Sequence, residues 1–180
     1  MGETFLQPKG NYRDLIAFQK AECIYDITHY FCHRYLSKGD RTIDQMVQAA
    51  RSGKQNIVEA SAAATTSSET EIKLMNVARA SLHELLADYE DFLRVNDYEQ
   101  WSADSEKFIA MRKLGADEDN AKILDVAKSR SLDVVANMAI VLLNQEDYLL
   151  HKLLSSVSEK FLNEGGFKEK MHSLRVKRRG

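Results

Sequence analysis

"QAARSGKQNIVEA", Gln48 to Ala60, sets a serine, a glycine, an asparagine and a glutamate inside a segment whose apolar residues keep a helical rhythm. Met46, Ala50, Gly53, Ile57 and Ala60 step by four, three, four and three, which places them on one face of a helix. The seam is narrow and built mostly of small side chains, so a second helix can approach closely. Gly53 costs about 1 kcal/mol in helix propensity, and tight backbone packing is its natural offset. Asn56 and Glu59 lie three apart on one face, with Arg51 five before Asn56. As a site they are poor chemistry, an amide and an acid with neither nucleophile nor metal partner. The structural reading is preferred. In it Gln48, Arg51, Ser52, Gly53, Asn56 and Glu59 form a helix-pairing motif, with Asn56 and Glu59 bonding to backbone or to Arg79 and Ser81 of the next helix and so setting the register.

The same rhythm extends in both directions. A first helix is expected from about Tyr12 to Ser37, striped by Phe18, Ala21, Ile24 or Tyr25, Thr28, Phe31 or Cys32, and Tyr35, and closed by Gly39. Asp40 or Thr42 caps the second helix, and "AAATTSS" (Ala62 to Ser68) connects it to a third opened by Ser68 with Glu71. Ile72, Met75, Leu82, Tyr89 and their neighbours mark that third helix over about 25 residues. "SADSEKFIAMRKLG" reads as a short helix stopped by Gly115. A fourth long helix then runs unbroken from about Asp119 to Gly165-Gly166, with Ile123, Val134, Met138, Leu142, Leu149, Leu153 and Phe161 on its stripe. The lone proline is Pro8 and strand alternation is nowhere evident. These patterns predict an all-α fold, four long helices and a shorter insert. The expected division is 1–11 as a disordered or extended N-terminus, 12–145 as the bundle and 146–180 as a C-terminal helical extension with a basic tail.

At 44% apolar and 29% charged residues over 180 positions, the composition is that of one globular domain. Cys23 and Cys32 are nine positions apart on one predicted helix, roughly 13 Å at about 1.5 Å rise per residue, too far to pair with each other. Two unpaired thiols, a start without the pattern of a signal peptide and no span of about 20 apolar residues predict a cytoplasmic protein with no membrane partner. Charge is uneven: Phe167–Gly180 carries six Lys/Arg against Glu169, a balance of +5, which leaves −7 on the rest of a chain of net charge −2.

"DITHYFCHRY" places Asp26, His29 and His33 at i, i+3 and i+7, with Cys32 adjoining. A di-metal bundle uses Glu-x-x-His on two helices, and this chain has one Asp-x-x-His without a second copy, so these residues are read as solvent-facing or interfacial and no cofactor is expected. In the tail, Phe167, Met171 and Leu174 step by four and three. Lys168, Lys170, Arg175, Lys177, Arg178 and Arg179 would then line a short basic amphipathic helix suited to phosphates or an acidic partner. No Gly-rich phosphate loop, nucleophile elbow or His-Glu metal helix is present in the sequence, so the expectation is a non-enzyme.

"QAARSGKQNIVEA", with "KLMNVARASLHELLADYEDFL", resembles the four-helix bundle protein family that includes proteins encoded in intervening sequences of bacterial 23S ribosomal RNA genes. The ending "LLNQEDYLLHKLLSSVSEKFLNEGGFKEKMHSLRVKRR" is similar to the C-terminal extension of one subgroup. The resemblance runs from Tyr12 onward. It implies an antiparallel up-down bundle assembled as a ring, usually a homopentamer, and no established activity for the subgroup. It also implies two kinds of partner: nucleic acid, as for relatives that serve diversity-generating retroelements, or a protein encoded nearby. The family commonly has Arg where Gln48 stands and often Gly where Ala60 stands, which implies here a lost charge and a second helix that runs past Glu59. The leading expectation is an oligomeric scaffold or adaptor, with a nucleic-acid-binding accessory factor of a mobile element as the alternative. A metal or small-molecule binder ranks third.

Overall fold

The computed structural model describes residues 12–166, 169, 171–173 and 175–176 of the chain. It is 83% helix, with no strand among the described residues. A 3-10 turn, Tyr12–Asp14, precedes α1 (Ile16–Tyr35), α2 (Arg41–Ala63), α3 (Ser68–Val95), α4 (Glu106–Asp117), α5 (Asn120–Lys128) and α6 (Leu132–Glu164). The N-terminal expectation for 1–11 lies outside the described residues.

The helix boundaries follow local chemistry. The first helix starts later than its periodicity suggests, because Leu15 is extended and separates the 3-10 turn from α1. Gln19 Nε2 donates to the Arg13 carbonyl there, and Tyr12 sets its ring edge on Phe18 at 5.0 Å. Asp40 caps α2 by accepting from the Thr42 N–H at 2.9 Å, and Gly39 takes the positive φ of the turn before it. α2 does run past Glu59, to Ala63. The cap of α3 is Ser67, one residue earlier than expected: it holds the extended backbone that a cap requires and accepts from the Thr70 N–H.

Two stops differ from expectation. Gly115 does not end the short helix. It lies buried inside α4, where an added Cβ would come within 2.9 Å of Leu142 Cδ2, so its role is close packing on α6. The last long helix is not continuous either, since α5 ends at Lys128 and α6 begins at Leu132. Ser129 Oγ donates back to the Val126 carbonyl at 2.7 Å, the competition with helical bonding that serine offers, and Tyr35 Oη donates to the Arg130 carbonyl at 2.8 Å. At the far end Gly165, with φ +72°, closes α6 as anticipated.

α1 packs against α2, α5 and α6; α3 packs against α2 and α6; α4 lies on α6. α6 is therefore covered on several sides, and every residue from Val135 to Leu143 is buried. A single stripe underdescribes it. Lower down, Leu150 and Leu154 turn inward while Leu149 and Leu153 are half-buried, one residue off the expected phase. The seam on α2 is as read: Met46, Ala50, Gly53, Ile57 and Ala60 are all buried. Phe31 of α1 and Tyr89 of α3 meet at 5.2 Å, and Tyr89 Oη donates to Thr28 Oγ1 at 3.0 Å, satisfying the one polar atom of a fully buried ring.

Candidate functional site

The polar residues of α2 divide by exposure. Gln48, Arg51 and Glu59 face solvent, whereas Ser52 and Asn56 are half-buried against α3. Ser52 Oγ and Ser81 Oγ share a hydrogen bond of 3.0 Å across the two helices. Asn56 Nδ2 donates to the Ser52 carbonyl at 2.8 Å, within its own helix, and lies 3.3 Å from Ser52 Oγ. Directly beside this, a Cβ on Gly53 would fall 2.5 Å from Leu82 Cδ2 and 2.6 Å from its Cγ. The helices thus meet with the leucine seated on bare backbone, and the serine pair marks the register.

Arg79 turns the other way. Its Nε donates to Asp147 Oδ1 of α6 at 2.9 Å, and His83 Nε2 reaches the same oxygen at 2.8 Å. Burial works to raise the Asp147 carboxyl, but the bonds and charges of Arg79 and His83 together outweigh it and hold the group below its ordinary range. Arg79 and Ser81, two residues apart on α3, therefore serve different neighbours.

A second polar cluster, not anticipated from the sequence, lies where α1, α4 and α6 meet. Lys20 is 8% exposed, and its Nζ donates to the Gly115 carbonyl of α4. Glu146 is 0% exposed, and neither of its carboxyl oxygens has a hydrogen-bond partner. Gln145 Nε2 donates to the Arg112 carbonyl at 2.7 Å, a second tether onto α4. Burial drives the Glu146 carboxyl well above its usual range, against the pull of Lys20. Burial likewise lowers the Lys20 ammonium, opposed by Cys23 and Glu146. Both groups are pushed toward their neutral forms, as desolvated charges are. The signal was present in the spacing: Lys20 sits three after Ala17 and four before Ile24, and Glu146 four after Leu142 and four before Leu150, each on a buried stripe. A third anchor is Asn137, which accepts from the Trp101 N–H at 2.8 Å and donates to the Glu99 carbonyl at 2.9 Å, tying the loop before α4 to α6.

The residues of "DITHYFCHRY" separate. Cys32 points inward, with Sγ 3.9 Å from Met46 Sδ, while His29 and His33 are exposed. Burial pushes both thiols, Cys23 and Cys32, up to about 12, so they are inert packing groups. Among the described residues no three His, Cys, Asp or Glu gather to enclose a metal ion. Of the tail cations Arg175 alone is described, and it is helical and exposed; Lys168, Lys170, Lys177, Arg178 and Arg179 lie outside the described residues. No helix among the described residues is long and apolar enough to cross a membrane. Comparison with known proteins finds no family model, curated protein or solved structure that matches this chain.

Proposed function

We propose that the chain is a non-enzymatic oligomeric scaffold or adaptor, built as an antiparallel up-down four-helix bundle, that joins copies of itself in a ring and holds another macromolecule. The observation that carries this reading is how the interior polar groups are used. Ser52 with Ser81, Thr28 with Tyr89, Arg79 with Asp147 and Lys20 with Gly115 each tie one helix to another. Groups committed to aligning rods are not poised for substrate. The neighbour relations support the bundle: α1, α2, α3 and α6 pack in a closed cycle that follows chain order, as when each rod turns back beside the last. α4 and α5 then fill the connection between the third rod and the fourth. The ring of five rests on the family resemblance. So does the partner, a protein encoded nearby or a nucleic acid.

The charge distribution favours a second reading, a nucleic-acid-binding accessory factor of a mobile element. A body of −7 repels phosphates, so contact is confined to the +5 tail with Lys168, Lys170, Arg175, Lys177, Arg178 and Arg179. Fluorescence anisotropy with generic duplex DNA and with RNA, at a series of salt concentrations, tests it. Binding through all six cations weakens with salt at a log–log slope of up to roughly −5 on a duplex and disappears when residues 167–180 are removed. Affinity that is unmeasurable at low salt, or indifferent to that truncation, rules out the tail as a phosphate contact and leaves the scaffold with a protein partner.

A further inference from the structure

Among the described residues, the buried side-chain atoms that no protein group bonds are gathered in one place: Gln145 Oε1 and both carboxyl oxygens of Glu146. The two residues are neighbours on α6, at the junction that α1 and α4 cover. Polar groups elsewhere in the interior, such as Thr28 with Tyr89, are paired. Open acceptors concentrated under one element make that element the costly one to keep closed.

The covering element is thinly held. α4 buries only Met111 and Gly115 of its twelve residues. Lys20 Nζ of α1 donates to its Gly115 carbonyl, and Gln145 Nε2 donates to its Arg112 carbonyl at 2.7 Å. An element with so little buried surface belongs to the low-stability end of a fold, where opening is local.

The charges around Glu146 decide what opens it. From α1, Lys20 favours the carboxylate, and Cys23, three residues on, is a neutral thiol. On α6, Asp147 opposes ionisation, and it is itself bonded to Arg79 and His83 of α3. Every charged residue of α4 and α5 is exposed. An ionised Glu146 in the closed junction therefore has Lys20 for its opposing charge and no hydrogen bond, whereas water solvates it once α4 lets go.

We propose that α4 is a proton-gated clasp: it stays closed on α1 and α6 while Glu146 is protonated, and ionisation of that carboxyl releases α4 with the other helices still folded. The closed state holds the proton more tightly than the open state, where a solvated glutamate has its ordinary value of about 4.3. Closure is thus fully favoured below about pH 4.3 and is lost as pH rises toward the closed-state value, by up to about tenfold in the opening equilibrium per pH unit, because one proton leaves. Lys20 acts in the other direction: its buried ammonium is disfavoured, so closure is regained as pH rises through its lowered value. The clasp is loosest between the two.

The test is hydrogen exchange of the full-length chain from about pH 4 to about pH 8, corrected for the intrinsic pH dependence of exchange. Opening of Glu106–Asp117 should rise by about tenfold or more across that range while α2 and α3 stay protected. In Glu146→Gln and Glu146→Leu, each checked for the parent's helical circular dichroism, opening of α4 should no longer rise with pH. Asp147→Asn should keep the rise. Exchange in α4 that does not change with pH in the parent would overturn the proposal. So would a rise that persists in both Glu146 variants, or one in which α2 and α3 open together with α4.

Discussion

Gly53 is the residue at which sequence and packing meet most tightly. Its neighbour Leu82 is 3% exposed and has little room to retreat from an added methyl. Gly53→Ala gains about 1 kcal/mol of helix propensity but overpacks the seam, at a cost of about 1–3 kcal/mol. The net expectation is a loss of roughly 1 kcal/mol in urea unfolding. The second variant decides the cause: in a Leu82→Ala background, where the clash is gone, Gly53→Ala should turn neutral or stabilising. A loss of the same size in both backgrounds would mean that the glycine is needed for something other than space. At the same scale, Cys23 and Cys32 should resist alkylation at pH 8 in the folded protein and react fully once unfolded, because burial has raised both thiols to about 12. Rapid labelling of the native chain would contradict their burial.

At the scale of elements, two carboxylates of adjacent residues on α6 make opposite contributions to the pH dependence of stability. Asp147, held low by Arg79 and His83, stabilises the fold above its unfolded value of about 3.9 and loses that contribution as pH falls through its lower folded value. Glu146, raised by burial, stabilises the folded state relative to its ionised form below about 4.3, and that contribution drains away as pH rises toward its folded value. Asp147→Asn should therefore cost stability at neutral pH and flatten the acid limb of urea unfolding curves. Glu146→Gln should remove the decline above about pH 4.3 and leave the acid limb in place. Identical pH profiles for the two variants would refute the assignment. Lys20→Met tests the tether onto α4: hydrogen exchange should speed up in Glu106–Asp117 first, while α2 and α3 remain protected. Exchange that accelerates everywhere at once would show that Lys20 supports the whole core.

For the whole molecule, what was legible divides along a physical line. The rods could be read because burial on one face imposes a three-four spacing, and the α2 seam was right residue by residue. The break at Ser129–Ser131 could not, since it depends on Ser129 turning its hydroxyl onto its own helix and on a tyrosine of α1 arriving at Arg130. The role of Gly115 was misread for a similar reason: a glycine that admits Leu142 and Gln145 looks, in one dimension, like a glycine that ends a helix. Of the expected pairing residues, Ser52, Gly53 and Ser81 meet across α2 and α3, whereas Arg79 bonds to α6, a choice set by helix rotation. The buried Lys20 and Glu146 escaped because charged residues on a stripe look like interruptions until a third helix covers them. Assembly lies beyond any one chain. It is the claim on which the scaffold reading turns, and light scattering coupled to size exclusion measures it directly. A ring of five predicts a single species of about five times the 20.5 kDa chain mass, stable to dilution, and one chain mass at all concentrations would refute the ring.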